Sequence, residues 1–188
     1  MAWSLTQSVC MNADANRRLE NIVRFGTIKT INPSKPIPRV IVNLGDIETP
    51  EIRCLNIRSG DDATWDMPST NEECVVISPC GDIGPTSFVL YGFYNDDHPA
   101  PSDDLNKKIR MFADGCVIAY DIKSHELSAV LPTGGKANIV ADVTVTGTLH
   151  VTKDITTDAD VTAGNISLKK HKTSGVQGGS ANSGVPVP

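Results

Sequence analysis

The sequence predicts an all-β protein in two parts: a small closed barrel, then a long β-rich stretch that cannot bury its own apolar face. Three observations predict it. Between Phe25 and Tyr94, five short runs rich in β-branched and aromatic residues are separated by Gly- and Pro-rich joints. From Ile139 to Ala163, apolar residues fall on alternate positions in one phase (Ile139, Ala141, Val143, Val145, Leu149, Val151, Ile155, Ala159, Val161, Ala163), with mostly Asp and Thr between them. Successive side chains of a strand point to opposite faces, so such a stretch is β-structure with one buried and one wet face. Finally, hydrophobic residues make up 39% and aromatic residues 5% of the 188. That is little for a self-sufficient globule, so buried area per residue should be limited unless association supplies more.

Residues 12–25 read as a short helix. Asn12 or Asp14 can cap it, Leu19, Ile22 and Val23 have helical spacing, and Gly26 is a terminator. The five runs that follow are FGTIKTI, RVIVNL, IRCLNIRS, ECVVIS and SFVLYGFY. Five short strands with such joints are what a small Greek-key barrel of the OB type requires. The five cysteines, Cys10, Cys54, Cys74, Cys80 and Cys116, are odd in number and have no C-x-x-C spacing. They are expected as reduced thiols, with Cys54, Cys74 and Cys116 buried and inert inside apolar runs.

A linker rich in Pro and Asp, NDDHPAPSDDLNKK, leads to IRMFADGCVIAYD, where Asp114-Gly115 suits a two-residue hairpin turn. KSHE at 123–126 reads as a second reversal into LSAVLP. The single-phase stretch begins after Pro132-Thr133-Gly134-Gly135. About 25 residues in one phase exceed an ordinary strand of roughly 3–10 residues, so several short strands in series are expected. No Asn-Gly or Asp-Gly pair folds the stretch back, and its corners at Gly147, Lys153-Asp154 and Gly164 suit a winding path. A single winding chain cannot close a core around itself; copies of the same chain are the most economical partners. The phase slips at Gly164, since Ile166 and Leu168 lie on the other parity. The last residues, SGVQGGSANSGVPVP, read either as a frayed tail or as an apex where small side chains let copies approach closely.

Taken in order, NRRLENIVRFGTI, the Trp65-containing TWDMPSTNEECVVISPCGDIGPTSFVLYGFYNDDHPAP, IRMFADGCVIAYD, VTVTGTLHVTKDITTDADVTAG and SLKKHKTSGVQGGSANSGVP cover nearly the whole chain. In this order they resemble the phage baseplate assembly protein V family, the trimeric central spikes of contractile tails. The resemblance implies an N-terminal helix region (1–24), an OB-fold barrel (25–95), a linker (96–108), a three-chain intertwined β-helix shaft (109–168) and an apex (169–188). It also implies a structural virion protein, not an enzyme, that pierces the host outer membrane and takes part in baseplate assembly. The implied partners are two further copies, baseplate hub and tail-tube proteins, and transiently the membrane; the implied site is the tail baseplate after assembly in the host cytoplasm. In some relatives that this chain resembles, the tip carries His-x-His, so that three chains offer six imidazoles to one iron. Here the tip reads His171-Lys172-Thr173. The Thr173 hydroxyl is a poor ligand, so the site reads either as one His171 from each chain holding iron or another first-row ion facially, or as an ordinary solvent-exposed histidine beside lysines.

Other chemistries find little support. GGK at 134–136 lacks the upstream glycine and following Ser/Thr of a phosphate loop, and G-x-S-x-G and H-E-x-x-H are both missing. No basic-apolar leader opens the sequence and no run of about 18 apolar residues occurs, so a soluble cytosolic product is expected. OB barrels often bind single-stranded nucleic acid, which is the rival class. Against it, residues 17–92 carry eight Lys/Arg and ten Asp/Glu, a balance of −2, and the whole chain is at −5. A trimeric receptor-binding tail fibre is the other alternative. A short shaft and a small-residue apex favour piercing over adhesion. Lys169, Lys170 and Lys172 would place nine cations near a trimer's apex, either a soluble collar or a contact with anionic lipid.

Overall fold

A computed structural model describes residues 2–172. Helix α1 spans Ala2–Asn21, so it starts well before the predicted 12–25 and ends earlier. Residues 2–21 contain no Gly or Pro to interrupt a helix. It stops at Asn21 because Val23 is already paired with Ile77 in the barrel. Among its exposed residues, Asp14 accepts hydrogen bonds from Arg17 at 2.6 Å and Arg18 at 2.9 Å.

Each of the five predicted runs holds a strand: β1 (Val23–Asn32), β2 (Arg39–Asn43), β3 (Ile52–Cys54), β4 (Glu73–Ile77) and β5 (Phe88–Phe93). They close in the order β1-β2-β3-β5-β4, with β3 and β5 parallel and the other pairs antiparallel. Closure depends on β1. Its first half pairs with β4 and its second half with β2, and the register shifts between Ile28 and Thr30. Gly26 sits near that crossing, where a Cβ would lie 2.5 Å from the Asn43 carbonyl oxygen. β3 is shorter than the predicted run because Asn56 turns its side chain onto its own loop, accepting from the Ile57 N–H at 2.8 Å and from the Thr64 hydroxyl. Ile57 is left 83% exposed.

The core consists of Ile28, Val40, Val42, Leu44, Ile52, Cys74, Val76 and Val89. Buried hydroxyls are paired: Ser87 donates to Ser78 at 2.9 Å, and Thr49 Oγ1 accepts from the Val42 N–H at 2.9 Å. The cysteine expectation needs correcting. Cys74 is buried, whereas Cys54 and Cys116 are only half-buried and Cys80 is exposed. Burial pushes the Cys54 thiol up to about 11 and the Cys74 thiol up to about 12.

A three-stranded antiparallel sheet follows: β6 (Lys107–Met111), β7 (Val117–Asp121) and β8 (Glu126–Val130). The β6–β7 reversal is a hairpin, but not the two-residue turn expected. Phe112 N–H donates to the Cys116 carbonyl and Gly115 N–H to the Phe112 carbonyl, both at 2.9 Å, so Ala113, Asp114 and Gly115 form a three-residue loop. Gly115 takes φ +87°, the glycine position of such a loop. At the second reversal His125 adopts φ +58°, while the Asp121 carboxylate accepts from the N–H groups of Lys123 at 2.8 Å and Ser124 at 3.1 Å. Arg110 on β6 pairs with Asp66 at 2.6 Å and lies 5.2 Å over the Phe112 ring. The described chain divides into two compact units, Met1–Lys136 and Ala137–Pro188, so this sheet shares its unit with the barrel. No helix among the described residues is long and apolar enough to cross a membrane.

Candidate functional site

The second unit is built unlike the first. From residue 137 to 160 the chain has no strand, and no backbone–backbone hydrogen bond joins these residues to any described residue. The strands expected here therefore have no partner within the described chain. Ile139, Val143, Val145, Leu149, Val151, Ile155 and Val161, all of one parity, are 42–69% exposed. Both halves of a strand's requirements, apolar cover and backbone partners, are thus unmet.

The stretch ends in a small hairpin of β9 (Thr162–Ala163) and β10 (Ile166–Ser167), joined by Gly164 and Asn165 with Gly164 at φ +60°. The hairpin falls where the apolar parity changes, at Gly164. The pairing shows what the change does. Ile166 stands opposite Ala163, Ser167 opposite Thr162, and Leu168 N–H donates to the Val161 carbonyl at 2.9 Å. A two-residue loop always pairs odd positions with even ones, so apolar Val161, Ala163, Ile166 and Leu168 stay on one face only if the parity flips. Gly-Asn between two short apolar runs was the available signal, and it was missed.

Beyond the hairpin, the chain winds one turn. Ser167 Oγ donates to the Asp160 carboxylate and accepts the Lys170 N–H at 2.9 Å, while the Lys169 N–H donates to Asp160 Oδ1 at 3.1 Å. The Ser167 hydroxyl, then the Lys169 N–H, hold the Asp160 carboxyl below its ordinary range. The His171 main-chain N–H donates to the Ser167 carbonyl at 3.0 Å. Its ring Nδ1 lies 3.2 Å from that carbonyl oxygen and 3.0 Å from the Leu168 carbonyl oxygen. Carbonyl oxygens only accept, so these two contacts suit a ring that carries a proton on Nδ1. Lys169 Nζ donates to the Asp158 carbonyl at 3.1 Å, and Lys169, Lys170 and Lys172 are all exposed. His98, His125 and His150 are exposed residues in loops or extended chain. No cluster of three or more His, Cys, Asp or Glu side chains that could hold a metal occurs among the described residues. Thr173 and the SGVQGGSANSGVPVP apex lie outside the described residues.

Over 147 residues the chain is 34% identical to the Spike protein of Escherichia phage P2, covering 75% of this chain and 67% of the relative. The chain belongs to the phage baseplate assembly protein V family, the central tail spikes. The model of the GpV Apex motif matches residues 165–187, beginning at Asn165 in the hairpin loop and running through His171. As a spike of this family, the chain combines a five-stranded OB-type barrel with that apex. The nucleic-acid and tail-fibre alternatives are not favoured.

Proposed function

We propose that three copies of this central baseplate spike interwind through residues 139–168, that the barrels form the ring receiving force from the contracting tail, and that the apex is driven through the host outer membrane. The observation that carries this reading is the extended segment from 137 to 160, with neither apolar cover nor backbone partners in its own described chain. Pairing between copies answers both deficits at once. Hydrogen bonds running between chains leave few edges to peel, and unfolding one chain then requires disrupting three. The exposed side of the β6–β8 sheet supports association too, since Ile118, Tyr120 and Leu127 lie on one face and Leu127 is 74% exposed. On this reading the role is mechanical, with baseplate hub and tail-tube proteins as the partners of the ring, in a particle put together in the host cytoplasm.

The residues also fit a metal at the tip. The two carbonyl oxygens beside the His171 Nδ1 favour a neutral ring with a lone pair on Nε2, the form that ligates first-row ions, and one imidazole from each of three chains would hold iron or a similar ion. Bound there, the ion would supply a cross-link between chains.

Light scattering coupled to size exclusion tests the assembly. A mass of three chains, persisting in detergent at room temperature, is expected. A monomer at micromolar concentration would overturn the interwound reading.

A further inference from the structure

We infer that Asp160 and Ser167 are positioning residues for His171, winding Ser167–His171 into one capped turn that holds the imidazole proton on Nδ1 and leaves Nε2 free to ligate. The inference deepens the metal reading of His171 and rests on it for its purpose, though its geometry stands in a single chain. Ser167 is the hub of four contacts. Its hydroxyl accepts the Lys170 N–H at 2.9 Å, in the manner of a helix N-cap, while that same hydroxyl is held by donating its proton to Asp160. Its carbonyl accepts both the main-chain N–H of His171 at 3.0 Å and the ring at 3.2 Å.

Asp160 acts from the start of the hairpin. One of its carboxylate oxygens takes the Ser167 hydroxyl and the other takes the Lys169 N–H at 3.1 Å, so the carboxylate bridges β9's approach to the turn after β10. The hairpin supplies the reach, because its two-residue loop brings residue 160 beside residues 167 and 169. Without the carboxylate, the Lys169 N–H loses its acceptor and the Ser167 hydroxyl is free to rotate away from Lys170. The turn that places two carbonyls against Nδ1 then has no side-chain clamp. A histidine in water prefers its proton on Nε2, the opposite tautomer, so the clamp reverses the free preference. Donation from the second ring nitrogen to a carbonyl is the arrangement by which proteins orient metal-binding histidines.

The test reads the tautomer directly on full-length, chelator-stripped, 15N-labelled protein at about pH 8, above the ordinary histidine value of about 6.5. The His171 ring signals are assigned by their loss in His171→Gln. A pyrrole-type Nδ1 and a pyridine-type Nε2 are expected; the reverse pattern in the unaltered protein overturns the inference. Ser167→Ala and Asp160→Ala should each move the ring toward the Nε2–H form, while Ser167→Thr, which keeps the hydroxyl, should retain the Nδ1–H form. An unchanged tautomer in both alanine variants, with assembly mass preserved, also overturns it. Zinc titration separates the inference from the metal reading. Where the protein binds zinc, Asp160→Ala should weaken it by about 10–100-fold, the usual effect of removing an orienting contact. A protein that holds the Nδ1–H form but takes up no zinc sustains the positioning and sinks the metal reading.

Discussion

At the residue scale, the barrel offers positions where chemistry follows from environment. Cys74 is fully buried, with its thiol pushed up to about 12, while Cys80 is exposed on the turn Pro79–Gly81. Iodoacetamide at about pH 8 should therefore modify Cys80 before Cys74, which should stay intact until denaturant is added, because the thiolate is the nucleophile. Mass spectrometry of time points checks this, and early labelling of Cys74 would contradict the assigned core. Gly81 is a second such position. It adopts φ +71°, and a Cβ there would lie 2.0 Å from the carbonyl oxygen of Arg18, at the end of α1. Gly81→Ala should cost about 2 kcal/mol or more in urea unfolding, combining left-handed strain with displacement of the helix. Neither effect was legible in the sequence. A Cys-Gly pair in a joint says nothing about which helix end will rest on it.

At the element scale, turns and stripes behave differently as signals. The β6–β7 reversal was readable from Asp114-Gly115, but its loop length was not, since only the pairing of Phe112 with Cys116 sets it. The β7–β8 loop depends on Asp121, whose carboxyl is held below the usual range by the Ser124 N–H and then the Lys123 N–H. A lowered folded value means that this contribution is complete above the unfolded value of about 3.9 and is lost as pH falls through the lower folded one. Amide exchange at Lys123 and Ser124 should therefore accelerate below about pH 4 relative to an Asp121→Asn variant, once normalised for intrinsic rates. The stripe of residues 139–163 makes the strongest element-level prediction. Substituting Val145 and Val151 together by Asp should abolish the proposed trimer, because like charges would be buried around its axis. A double variant that still sediments as three chains would show that the inward parity has been assigned to the wrong face.

At the scale of the whole molecule, the two compact units should part company on truncation. A chain ending at Lys136 keeps the barrel core and the Arg110–Asp66 pair, so it should retain its far-UV spectrum and a cooperative unfolding transition. It should lose detergent-resistant association, which the interwound reading assigns to residues beyond that point. An SDS-resistant trimer of the truncated chain would move the main interface into the first unit.

The sequence alone was enough to establish β-structure, the five barrel strands, the single-phase stripe and the family, because hydrophobic period and turn residues are local properties that survive without coordinates. Tertiary structure decided the rest. The end of α1 at Asn21, the half-burial of Cys54 and the clamp of Asp160 on Ser167 all depend on which backbone or side chain the fold brings beside each residue. The parity flip at Gly164 lies between the two cases. It was visible in the sequence, but its meaning required the cross-strand pairs, since only a folded-back chain makes odd and even positions share a face.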